Sequence, residues 1–198
     1  MEKNKIYNED CLVTMRKMED NSVDLIVTSP PYNKGFYASK NAGKSLVWGA
    51  LDGRKIGYDK CDDDMPPAEY ERWQKEVIAE CMRVLKPSGN MFYNHKDVLS
   101  GGLAVHPKWV YDFNLHQVIV WDRGSSPAID VRYFFPITEY VFWLVKEPKK
   151  NYFDKGKATM NKSIWRMNTD KNPHPAPFPL VMARNIVACA CPMGGGSI

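Results

Sequence analysis

The run Val23-Asp24-Leu25-Ile26-Val27-Thr28, halted by Ser29-Pro30-Pro31-Tyr32, constrains this chain more than any other feature. A nearly continuous apolar, β-branched run has no polar face to turn to water. A strand built from it must be covered on both sides, as in a parallel sheet with helices above and below. The two prolines offer no N–H to a ladder and fix their own φ, so the strand stops there. In open α/β sheets ligands bind beyond the carboxyl ends of the strands. Ser29 to Tyr32 is therefore the first candidate site.

The rest of the chain repeats the rhythm. Leu12, Met15 and Met18 fall at helical spacing after Asn8-Glu9-Asp10, any of which can cap a helix. Residues 33–65 are rich in Gly, Lys, Asn and Asp without a period, and a stretch of that length in a compact domain is usually functional or mobile. From Pro66, the positions Tyr70, Trp73, Val77, Cys81 and Val84 form one apolar stripe, and Lys86-Pro87-Ser88-Gly89 ends that helix. Asn90–Asn94, Gln117–Trp121 and Thr138–Val145 read as strands, a short helix begins near Pro107, and a last helix runs from Leu180 to Cys189. Strand alternating with helix predicts an α/β fold with a parallel sheet.

At 198 residues, 44% of them hydrophobic, the chain can bury one sizeable core, and residues 1–198 read as one domain. The densest apolar patch, Val141–Val145, has strand length and falls far short of a membrane span. No signal-peptide core follows Met1, and five cysteines without a CxxC pair suit a reduced, cytoplasmic protein. Cys189, Cys191 and His174 lack four ligands at zinc spacing, so no metal site is expected. The net charge of +4 is mild but uneven. Lys146 to Lys171 holds eight basic and three acidic residues, with Tyr152, Phe153 and Trp165 among them. Basic residues interleaved with aromatics suit a phosphate backbone with stacked bases, and equally a solvated loop.

Ser29-Pro30-Pro31-Tyr32 carries its own chemistry. A serine hydroxyl and proline carbonyls are acceptors, and the tyrosine ring is a stacking platform. Together they suit a planar group bearing an NH2. With its flanks, the segment resembles the catalytic block of the DNA amino-methyltransferases, in the branch where the target-base half precedes the cofactor loop. Arg83-Val84-Leu85-Lys86-Pro87-Ser88-Gly89-Asn90, Val120-Trp121-Asp122-Arg123, Arg132-Tyr133-Phe134-Phe135-Pro136 and Thr138-Glu139-Tyr140 resemble further blocks in the family's order. The resemblance implies a Rossmann-like methyltransferase sheet with helices on both faces, incomplete at its C-terminus. It implies methyl transfer from S-adenosylmethionine to the exocyclic amine of a flipped base in double-stranded DNA.

By that resemblance Ser29, Pro30, Pro31 and Tyr32 are catalytic. Asn8-Glu9-Asp10-Cys11-Leu12 resembles the family's cofactor element, which assigns Asp10 and Cys11, with Ser29, to the cofactor. His174-Pro175-Ala176-Pro177-Phe178-Pro179 resembles the block over its methionine part, adding His174, Pro175, Ala176 and Phe178. Residues 33–65 become a target-site loop, and 146–172 a DNA-recognition segment with Lys149, Lys150, Lys155, Lys157 and Lys162 on phosphates. Ser29 favours cytosine N4 over adenine N6, since Ser-Pro-Pro-Tyr is commoner among N4 enzymes. Carbon-5 chemistry is disfavoured because no cysteine follows a proline.

The departure from the pattern lies after residue 191. Cys191-Pro192-Met193-Gly194-Gly195-Gly196-Ser197-Ile198 resembles a turn, and the family's next strand and Phe-x-Gly-x-Gly loop do not follow. The expectation is a chain truncated before that loop, completed by a second polypeptide or prone to self-association. Alternatives are an inactive remnant that still binds DNA, and a related enzyme acting on RNA or a small molecule.

Overall fold

The computed structural model describes residues 4–33, 63, 65–100, 103–125, 133–170, 177–192 and 194. Helix α1 (Cys11–Met15) starts where the Asp10 carboxylate accepts the Leu12 N–H at 2.8 Å, and it buries Leu12 and Met15. Strand β1 (Val23–Thr28) follows, its first four residues buried. Helix α2 (Pro67–Val84) opens on Pro66-Pro67; a proline in the first turn loses nothing, because its missing N–H would have no partner there. It buries Tyr70, Val77, Cys81 and Val84 with Gln74 and Ile78. Trp73 packs only partly against that core.

Helix α2 passes directly into β2 (Leu85–His95). The sequence places this strand five residues later, at Asn90. Leu85 pairs with Val23 and Asn90 with Leu25, so the Lys86-Pro87-Ser88-Gly89 turn lies as a bulge inside the strand. Pro87 has no N–H for the ladder. Gly89 is packed so closely that an added Cβ would lie 2.8 Å from Leu85 Cδ2 and 2.9 Å from the Lys86 carbonyl.

Strands β3 (Val98–Ser100) and β4 (Leu103–Val105) form a separate antiparallel pair. The segment after Pro107 is one 3₁₀ turn, Lys108–Asp112, rather than an α-helix. Strands β5 (Leu115–Asp122), β6 (Thr138–Val145) and β7 (Ile164–Arg166) and helix α3 (Leu180–Ala190) complete the order. The main sheet runs β1-β2-β6-β5-β7. β1 and β2 are parallel, as are β5 and β7, but β6 is antiparallel to both its neighbours, which corrects the all-parallel rhythm. The Arg123 N–H donates to the Ile137 carbonyl at 2.9 Å, carrying the β5–β6 ladder one rung past the strands as in a hairpin.

Helices cover both faces. α1, α2 and the 3₁₀ turn close one core around Tyr70, Ile78, Trp109 and Phe142; α3 closes the other around Leu25, Trp143, Trp165 and Ile186. Trp165 is thus a core residue, not one of the exposed aromatics the basic segment suggested. Lys146, half-buried, is likewise structural: its Nζ donates to Asn21 Oδ1, the Arg83 carbonyl and the Leu85 carbonyl at 2.7–2.8 Å, tying the starts of β1 and β2 together. No helix among the described residues is long and apolar enough to cross a membrane.

One buried side chain joins the sheet to α3. Asn90 accepts the Trp143 indole N–H at 2.8 Å and donates to the Ala190 and Tyr152 carbonyls at 3.0 and 2.8 Å. Asn90→Ala strands a buried donor and two acceptors, each costing about 1–3 kcal/mol when left unpaired. It should lower the unfolding free energy by about 3 kcal/mol or more, read as a shifted urea midpoint at unchanged m.

Candidate active site

The C-terminal ends of β1, β2 and β5 and the start of antiparallel β6 share one edge of the sheet. Four side chains from three distant segments of the chain meet there. Tyr32 Oη lies 2.9 Å from Asn94 Oδ1, 3.0 Å from Glu139 Oε2 and 3.0 Å from Ser29 Oγ. Ser29 Oγ is also 3.4 Å from Asn94 Oδ1, and Asn94 Nδ2 donates to the Tyr140 carbonyl. Glu139 is 6% exposed, and Arg123 Nη1 stands 3.3 Å from its other oxygen. Burial, reinforced by the Glu139 carboxylate, pushes the Tyr32 phenol well above its ordinary range. Tyr32 therefore stays a neutral O–H donor.

The backbone of the turn is held from the opposite side. Tyr70 Oη donates to the Pro31 carbonyl at 2.6 Å and lies 2.8 Å from His95 Nε2. The phenol proton goes to the Pro31 carbonyl, so the Tyr70 oxygen meets His95 Nε2 with a lone pair, while His95 Nδ1 lies 2.9 Å from the Lys96 nitrogen and 2.8 Å from the Lys96 carbonyl. The His95 ring also backs the Tyr32 ring, with centroids 4.6 Å apart. Next in the chain, Asn33 adopts a positive φ of 55°, a region asparagine tolerates better than most residues. Its side chain pairs with both the N–H and the carbonyl of Met65, and its N–H donates to the fully buried Asp63. Asp63, inside the stretch that the resemblance assigns to a target-site loop, is a clamp on the turn.

Of the residues the sequence singles out, Ser29 to Tyr32 lie together at this edge. The Asp10 carboxylate caps α1; Cys11 is exposed, and burial of its thiol group and the Asp10 charge raise its pKa. Phe178 packs, half-buried, against the α3-side core. His174, Pro175 and Ala176 lie outside the described residues, as does most of the 33–65 loop.

The five lysines are exposed but spread. Because β6 is antiparallel, Lys149 and Lys150 follow its far end, about 23 Å of strand away from the Ser29 edge. Lys150 pairs with Glu147, and Lys157 with Asp154, whose N–H meets the Cys189 carbonyl at the end of α3. An exposed cation on the Ser29 side of the sheet is Arg166, with 81% of its side chain exposed and its Nε ion-paired with Asp122 Oδ2 at 2.8 Å. Sequence reasoning missed Tyr70, Asn94, His95 and Glu139 as site members. Only Glu139 stood inside a quoted block; His95 carries no spacing signal.

A family model described as DNA methylase matches residues 23–196. The chain belongs to the N6/N4 DNA methylase family. It is 32% identical over 158 residues to the type II methyltransferase M.BglII of Bacillus subtilis, covering 76% of this chain and 37% of that protein. It is 30% identical over 155 residues to the DNA adenine methyltransferase YhdJ of Escherichia coli K12, covering 78% and 45%. The chain thus spans less than half the length of either relative. Among solved structures, the cytosine-N4-specific PvuII DNA methyltransferase shares its fold at TM-score 0.68 and 16% identity, over 94% of this chain and 70% of that one. The M1.HpyAVI complex with S-adenosylmethionine follows at TM-score 0.57 and 16% identity, over 94% and 76%.

Tyr70→Phe tests the backbone clamp of the turn. It removes the hydroxyl that the Pro31 carbonyl accepts from and should cost about 1–3 kcal/mol in denaturant unfolding. Unchanged stability would show that water replaces the phenol there.

Proposed function

We propose that this methylase transfers a methyl group from S-adenosylmethionine to the exocyclic amine of a base flipped out of double-stranded DNA, cytosine N4 in preference to adenine N6. One observation carries the reading: the turn keeps two acceptors for an incoming NH2. The Pro31 carbonyl is taken by Tyr70, while among the described residues no donor reaches the Pro30 carbonyl. Ser29 is exposed, and its hydroxyl proton has inward acceptors in Tyr32 Oη and Asn94 Oδ1, leaving a lone pair for the amine.

An exocyclic amine is a poor nucleophile because its lone pair is delocalised into the ring. Accepting its two protons at Ser29 Oγ and the Pro30 carbonyl draws the nitrogen toward tetrahedral geometry and localises that pair. The neutral Tyr32 phenol polarises Ser29 and is itself held by Glu139. The remaining task is placement in line, which fixed geometry performs well. The base must leave the stack to reach this edge.

For the cofactor, Asp10 fits in part. One carboxylate oxygen caps α1, and the other is free to accept from an amine or hydroxyl of a nucleoside. Phe178 offers a half-buried ring. S-adenosylmethionine supplies the electrophilic methyl when bound. Ser29 is the residue that favours cytosine. The 30% identity to an adenine methyltransferase favours the second reading, adenine N6.

Ser29→Ala should reduce turnover about a hundred- to a thousand-fold, by analogy with loss of one oxyanion-hole donor, at nearly unchanged DNA affinity. Mass spectrometry of nucleosides from treated DNA reads both points. N4-methylcytosine that vanishes in the variant supports the reading, N6-methyladenine replaces it with the second, and full turnover in Ser29→Ala overturns the serine's role. Duplex bound at the Ser29 edge also touches Arg166 before it touches Lys149 or Lys150. Arg166→Ala should therefore flatten the slope of log K against log salt by about one unit, and joint replacement of Lys149 and Lys150 by less than that.

A further inference from the structure

Three consecutive aromatic residues stand unused at the same edge. Tyr133, Phe134 and Phe135 are 39%, 99% and 58% exposed, directly before β6. Phe134 contributes nothing to the core, and such a side chain in water costs free energy that folding does not recover. The segment beneath it is firmly rooted. The Arg123 N–H donates to the Ile137 carbonyl at 2.9 Å, and Arg123 Nη2 to the Pro136 carbonyl at 2.7 Å. Arg123 also holds Glu139, which reaches Tyr32 Oη at 3.0 Å. The exposed rings and the Ser29 turn therefore share one anchor. Five residues of extended chain, about 17 Å at most, separate Phe134 from Glu139.

We infer that Phe134, flanked by Tyr133 and Phe135, is a wedge that enters the DNA base stack and fills the gap left by a withdrawn base. This inference rests on the reading of the chain as a methylase acting on a flipped base. Withdrawing a base leaves two neighbours unstacked and a void at the level of the turn. Apolar side chains inserted at such steps replace the lost stacking and hold the duplex open. The exposed Arg166 guanidinium on the same edge supplies charge complementary to the flanking phosphates. This surface was read from sequence only as part of a family block, while the basic segment was expected to carry the DNA contacts. The antiparallel course of β6 reverses that emphasis: Lys149 and Lys150 go to the far edge, and the aromatics to the near one.

The test needs no recognition sequence. Fluorescence anisotropy compares a mixed-sequence duplex with the same duplex carrying one central abasic site, a gap already made. The full chain should prefer the abasic duplex. Phe134→Ala should bind it about five- to a hundred-fold more weakly, erasing the preference, while affinity for the intact duplex holds. Phe134→Trp should keep the preference. The melting temperature of Phe134→Ala should not change, because the side chain is fully exposed. Equal binding of both duplexes by the unaltered chain, or a preference that survives Phe134→Ala, overturns the wedge alone. A preference that survives while Phe134→Ala dissolves a dimer in sedimentation assigns the aromatics to a second copy and also overturns it. No binding of either duplex overturns the DNA-methylase reading, and the wedge with it.

Discussion

The site depends on a shortage of backbone donors. Two successive prolines carry carbonyls but no N–H groups, so the Ser29–Tyr32 turn cannot satisfy itself. The Tyr70 phenol claims one carbonyl, and its oxygen is in turn held by His95 Nε2. Fixing the Pro31 carbonyl fixes the peptide before it, leaving the Pro30 carbonyl clear at the sheet edge. The start of α2 and the end of β2 are thereby coupled to the reactive turn, although neither carries a group proposed to touch substrate.

A second constraint is the direction of β6. Entering the sheet antiparallel, it brings its first residues to the edge where the parallel strands end. Glu139 thus arrives beside Tyr32, with Arg123 from the end of β5 as counter-charge. A buried carboxylate is costly unless paired and hydrogen-bonded, and here both conditions are met by residues that also shape the turn. The same reversal puts the start of the basic stretch, through Lys149 and Lys150, at the opposite edge. There Lys146 serves the backbone rather than a ligand.

Much of the fold is legible in single segments. Val23–Thr28 shows burial on both faces, the Tyr70-to-Val84 stripe shows a helix, and Ser29–Tyr32 with its neighbouring blocks points to the family that the residue 23–196 match shows. Other features are not legible because their causes are non-local. The start of β2 is set by pairing of Leu85 with Val23, which overrides a proline and a glycine that read locally as a terminator. Trp165 reads as a base-stacking aromatic among charges, yet it packs inside against the core that α3 covers. His95 and Asp63 have no periodic or motif signal, and their roles exist only through partners far along the chain, Tyr70 and Asn33.

By itself the sequence determined the acceptor chemistry of the Ser-Pro-Pro-Tyr turn and the strand that carries it, because hydroxyl, proline and β-branched apolar character are properties of the residues themselves. Tertiary structure decided which of those acceptors stays open and which residues stand guard over them. Whether a carbonyl is free or claimed depends on the approach of Tyr70, and whether an arginine or an aromatic ring faces the site depends on strand direction. Both are settled by pairings between residues dozens of positions apart, which no local pattern encodes.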